Sequence, residues 1–142
     1  MTKTMIIQLI LAYSQAMDFD GGLAVAVAQT ESSLIPTTIG QLNEVGLFQI
    51  RPEYSKYSSK QLTDVHINIQ EGINKLKHSQ KYCKHKDGYH WVICYNLGVA
   101  GASNIKYPHL FPYYKKIKQN MKEVQNEYAT EIYKKRRWKL CL

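Results

Sequence analysis

The sequence predicts a mostly α-helical single domain, on three observations. Apolar residues recur at helical spacing along most of the chain, and no six-residue stretch alternates convincingly as a strand does. The length of 142 residues suits one core of ordinary size. Four prolines, eight glycines and 44% apolar residues exclude collagen-like, low-complexity and disordered chains.

A first helix is expected from about Thr4 to Met17, with Ile6, Ile7, Leu9, Ile10 and Tyr13 spaced as a buried face. Lys3 followed by the apolar stretch Met5 to Tyr13 and Ser14-Gln15-Ala16 also imitates a short signal peptide. Gln8 interrupts that stretch and one lysine is a thin charged region, so the helix is the preferred reading and no convincing export signal is seen. Asp20 then stands as an N-cap for Leu23 to Thr30, which is apolar on nearly all sides and reads as a central buried helix. Ser32 to Asn43 is polar loop, Val45 to Ile50 offers a short hairpin arm, and Pro52 opens a helical turn.

From Asp64 onward Val65, Ile69, Ile73 and Leu76 place one helix face inward. Lys84 to Gly88 breaks that helix, and Tyr89 to Leu97 starts another that ends near Gly98. Gly98 to Pro112 is loop-rich. Ile117, Met121, Val124, Tyr128 and Ile132 define an amphipathic last helix at about 113–142, which carries the basic run Lys134-Lys135-Arg136-Arg137. No internal repeat or linker divides residues 1–142, and no apolar run is long enough to span a membrane.

The net charge of +8 points to polyanionic partners: nucleic acid, anionic membrane or an acidic cell wall. Eleven tyrosines suit stacking against sugars or bases. Among the eleven carboxylates, Glu31 is unusual. It ends the apolar helix, beside Val27 and Ala28, where lost solvation raises a carboxyl pKa toward neutrality. An acid held protonated there is able to protonate a leaving oxygen. A glutamate at a helix C-terminus also opposes the helix dipole, so stability alone does not select it.

Four short motifs then carry a resemblance. Glu31-Ser32 resembles the Glu-Ser motif of the lytic transglycosylase catalytic domain, in the lysozyme-like superfamily. Gly46-Leu47-Phe48-Gln49 resembles its Gly-Leu-Met-Gln motif, Asn68-Ile69 with Gly72 its Asn-Ile…Gly pattern, and Cys94-Tyr95-Asn96-Leu97-Gly98 its Ala-Tyr-Asn-x-Gly motif. They keep the family's order from about Ile6 to Gly98.

The resemblance implies a lysozyme-like fold and a single catalytic acid/base, Glu31. It further implies a substrate-binding set of Ser32, Gln49, Phe48, Tyr95, Asn96 and Glu44. Gln49 would bond the saccharide, Tyr95 would orient Glu31 or the sugar, Asn96 would help hold the cleft helix, and Phe48 would form an apolar wall or pack in the core. Glu44 would be a second carboxylate or a solvent-facing turn residue. Many members carry a serine where this chain has Gly40, which leaves the hydroxyl at that place unassigned.

The implied reaction is cleavage of peptidoglycan between N-acetylmuramic acid and N-acetylglucosamine with closure of a 1,6-anhydro ring. It requires no metal and no cofactor. A hydrolytic goose-type lysozyme is the alternative, and a non-catalytic wall-binding module the third. The basic tail invites a nucleic-acid reading, but no recognition module accompanies it, and peptidoglycan is itself anionic. The partners expected are thus peptidoglycan strands and no nucleic acid. Small size and a lone catalytic domain suggest a bacteriophage protein carried in the virion, or one from a plasmid or secretion system, acting at the wall or periplasm.

Three cysteines cannot all pair within the chain. Cys83 and Cys94 are read by default as a free buried pair, as a disulfide if the compartment is oxidising. With His85 and His90 they also form a weak candidate zinc set.

Overall fold

The computed structural model describes residues 1–140, with side chains to residue 128. Helix α1 (Lys3–Ala16) starts at Thr2, whose hydroxyl accepts the Met5 amide proton at 3.1 Å. Ile6, Ile7, Ile10 and Leu11 are buried, so the residues that imitate a leader form a packed helix. Burial is worth ~1.5–3 kcal/mol for each such aliphatic side chain. Two polar contacts fasten this segment to α4 (Val65–Tyr82): Tyr13 Oη lies 2.8 Å from His66 Nδ1, and Lys77 Nζ donates to the Met17 carbonyl at 2.8 Å.

Asp20 caps α2 (Gly21–Ser32) through the Leu23 amide at 3.1 Å. Leu23 to Ala28 are buried without a break, which makes α2 the central helix. It ends where Ser33 and then Leu34 adopt positive φ, and the chain enters a loop closed by single antiparallel bridges, Ile39 to Val45 and Val45 to Ile50. The expected hairpin arm is therefore present as isolated bridges, and no strand occurs among the described residues. A 3₁₀ turn at Pro52–Tyr54 and the short α3 (Ser59–Leu62) lead to Asp64, which caps α4.

Ile69, Ile73 and Leu76 of α4 are fully buried. The loop after α4 folds its end against α5 (Val92–Ala102), and Cys83 and Cys94 are joined there by a disulfide with Cα atoms 5.9 Å apart. The free-pair reading is corrected, and the zinc reading falls with it, because both sulfurs are spent on each other. No group of three or more His, Cys, Asp or Glu among the described residues is placed to hold a metal.

Helix α5 begins at Val92, three residues later than expected, and continues to Ala102 across Gly98, whose φ of 77° interrupts the helical path. A 3₁₀ turn at Pro108–Leu110 precedes α6 (Pro112–Leu140), which packs along α2 with Ile117, Met121 and Val124 buried. The side chains of Ile132 and of the run Lys134 to Arg137 lie outside the described residues. No helix among the described residues is long and apolar enough to cross a membrane.

Candidate active site

The last turn of α2 delivers Glu31 to the rim of the core. Its carboxyl is raised from 4.5 to about 7, first by burial, and further by the charge of Glu44; the Tyr113 hydroxyl and the Lys116 ammonium act in the opposite direction. Tyr113 Oη donates to Glu31 Oε2 at 2.7 Å. Beside it, Asn120 Nδ2 donates to Thr30 Oγ1 at 2.9 Å, and so fixes α6 against the end of α2.

Tyr95 completes the cluster from α5. Its hydroxyl donates to the Phe48 carbonyl at 2.6 Å. Burial, then the charge of Glu31, pushes both the Tyr95 and Tyr113 phenols well above their ordinary value. Both therefore stay protonated near neutrality and act as donors. A carboxyl that exchanges its proton near pH 7, held by a permanent donor, is equipped for general acid/base chemistry.

The loop that faces Glu31 is held from below by Asn68. Its Oδ1 accepts the Phe48 amide at 2.9 Å, and its Nδ2 donates to the carbonyls of Val45 at 2.8 Å and Leu62 at 2.9 Å. The loop sits so close that a Cβ on Gly46, at φ 78°, would run into the Asn68 amide, and one on Gly72 would run into the Phe48 ring. These contacts explain the Asn68 and Gly72 spacing as packing against the loop rather than as sugar contacts.

The structure separates the substrate-binding set into different roles. Ser32 and Phe48 are both buried, at 5% and 0% exposure, and for Phe48 this is the core packing expected as the alternative to an apolar wall. The Ser32 hydroxyl is spent on the carbonyls of Ala28 at 3.0 Å and Leu47 at 2.8 Å, which ties α2 to the loop. Gln49, at φ 49°, donates its amide to Thr38 O at 3.1 Å and Gly46 O at 2.9 Å. Only its carbonyl oxygen is left to meet a ligand. Asn96 is exposed on α5, so its amide adds no buried bond to that helix.

Glu44 is half-buried in the turn. Its Oε1 accepts the Leu42 amide at 2.6 Å as a turn residue does, while its charge reaches Glu31. Gly40 lies directly over this pair. A Cβ there would come within 2.6 Å of both Glu44 Oε2 and Gln49 Oε1, so a serine here requires the ends of those two side chains to move aside.

Sequence reasoning missed Tyr113 and Lys116. Tyr113 stands four residues before Ile117 and so shares its face, a signal present in the periodicity of the last helix.

The family model of the transglycosylase SLT domain matches residues 8–109. The chain belongs to that family. The match embraces Glu31, the loop to Gln49, Asn68 and Tyr95, and stops four residues short of Tyr113. No curated protein and no solved structure matches the chain. An SLT domain is a lysozyme-like, all-α, lytic transglycosylase-type domain that cleaves glycan. Its substrate is peptidoglycan, and its place of action is the cell wall.

Proposed function

We propose that this SLT domain cleaves the β-1,4 bond between N-acetylmuramic acid and N-acetylglucosamine with Glu31 as its single acid and base. The observation that carries the reading is the buried Glu31 carboxyl, raised to about 7 and held by Tyr113 at 2.7 Å. Protonated Glu31 gives its proton to the bridging oxygen as the muramyl C1–O bond breaks. The resulting carboxylate, stabilised by the Tyr113 hydroxyl and Lys116, then takes the proton of the muramyl C6 hydroxyl as that oxygen bonds to C1. The product is a 1,6-anhydro ring, and Glu31 regains its proton. Tyr95 anchors the loop beside the reacting carboxyl through Phe48 O and keeps its own proton throughout.

Glu44 supports a second reading, since its charge reaches Glu31. In a hydrolase, Glu44 would position a water that attacks C1. Mass analysis of muropeptides released from purified sacculi separates the two. Anhydro-muramyl ends, one water lighter than reducing ends, are expected; reducing ends would replace the lyase by the lysozyme-type reaction.

A further inference from the structure

Helix α6 turns one side to Glu31 and another to a groove. Tyr113 and Lys116 serve the carboxyl, whereas Tyr114, Lys115, Lys118 and Lys122 line one wall of a cavity of about 790 Å³. His90 and His109 form part of the other wall and continue into a second lobe of about 390 Å³, which adds Lys84 and Lys106. The groove is ordered by its rings: His90 stacks on His109 at 6.0 Å and meets Tyr114 edge-on at 5.1 Å, and Lys118 Nζ lies 5.9 Å from the Tyr114 ring centre.

The groove opens on another side of α6 from the reaction: its near wall begins at Tyr114, next to Tyr113, and its far edge is Tyr89. Tyr89, at its edge, bonds Asp20 at the start of α2 at 2.8 Å, while Glu31 stands eleven residues along that helix, roughly 16 Å away at the helical rise.

The lining chemistry selects an anion and then narrows it. No carboxylate lines the larger lobe among the described residues, and Asp87 is the acid in the smaller one. Lys86 there spends its ammonium on the carbonyls of Gln80 and Lys81, and His85 faces the Ala102 carbonyl, so neither is counted. The free cations are lysines. Their compact ammonium groups suit phosphate as point charges, and among the described residues no arginine fork lines the groove for planar bidentate recognition. The exposed rings of Tyr89 and His109 beside the lysines offer contact area for the sugar or polyol units of a chain.

We propose that this groove binds a phosphodiester-linked polyol or sugar chain of the cell envelope, and so tethers the enzyme beside its glycan. The site is separate from Glu31 and does not depend on the acid/base reading. Titration calorimetry at physiological salt tests it with a glycerol-phosphate octamer, compared with a glutamate octamer and an eight-residue thymidine oligonucleotide. The phosphate octamer is expected to bind at least tenfold tighter than either, and to shift the ring resonances of His90 and His109. The triple variant K115Q/K118Q/K122Q should weaken it tenfold or more, keep its thermal melt, and digest sacculi stripped of phosphate polymers at the wild-type rate. Glu31→Gln should bind it unchanged. Equal or tighter oligonucleotide binding would make this a nucleic-acid surface. Equal glutamate binding would reduce it to simple charge attraction, and unchanged affinity or no ring shifts would place binding elsewhere.

Discussion

The hydroxyl of Tyr113 lies 2.7 Å from Oε2 of Glu31, across the α2–α6 interface. The bond opposes the effect of burial, because it stabilises the charged carboxylate. In the proposed reaction it thus serves the half in which Glu31 has lost its proton.

Removing that hydroxyl gives the first expectation. Tyr113→Phe should raise the Glu31 pKa above its wild-type value of about 7. A general acid works while protonated, so the alkaline limb of the pH–rate profile should move upward. Turnover should fall about tenfold, which is ~1.4 kcal/mol of lost stabilisation. A rate loss with an unmoved limb would mean that Tyr113 is only a packing residue.

Stability should carry the same signature. The folded pKa is raised from 4.5 to about 7, so folded and unfolded chains are both protonated below 4.5. As pH rises between these values the unfolded state ionises first, and the fold loses on the order of 3 kcal/mol by the time both are ionised. Glu31→Gln removes the ionisable group. Its denaturant midpoint should match wild type near pH 4 and exceed it at pH 8; equal midpoints at both would show that Glu31 is not desolvated.

Much of this arrangement is written locally in the chain, and some is not. Asp20 and Asp64 cap the helices they precede, and the apolar run from Leu23 to Ala28 fills the core, because caps and burial patterns act within a few residues. Glu31 follows from that same run. Tyr113 escapes because its partner lies 82 residues away and only packing of α6 on α2 unites them. The inward turn of the Ser32 hydroxyl is not legible either, because a motif does not say which way a side chain points. The Cys83–Cys94 bond depends on how the loop after α4 returns to α5, which spacing does not state.

Gly40 provides a third test. Gly40→Ser restores the residue common in the family but would press on Glu44 and Gln49. It should push the ends of those two side chains aside at less than the ~1–3 kcal/mol of core overpacking, and bring no gain in turnover. A faster variant, or one that loses ~3 kcal/mol or more, would contradict this.

The disulfide provides a fourth. Reduction, or the pair Cys83→Ala with Cys94→Ala, should lower unfolding free energy by ~2–4 kcal/mol through release of the unfolded chain. Equal stability of the oxidised and reduced protein in urea would count against this contribution.

The central claim is that one carboxyl performs both proton transfers, and the direct measurement is sacculus digestion by Glu31→Gln. The variant keeps size and polarity and should bind glycan as wild type does. Positioned acid/base groups contribute ~10²–10⁴-fold, and a residue used twice should cost the upper end of that range or more. A folded Glu31→Gln protein that releases muropeptides at near the wild-type rate would contradict the account.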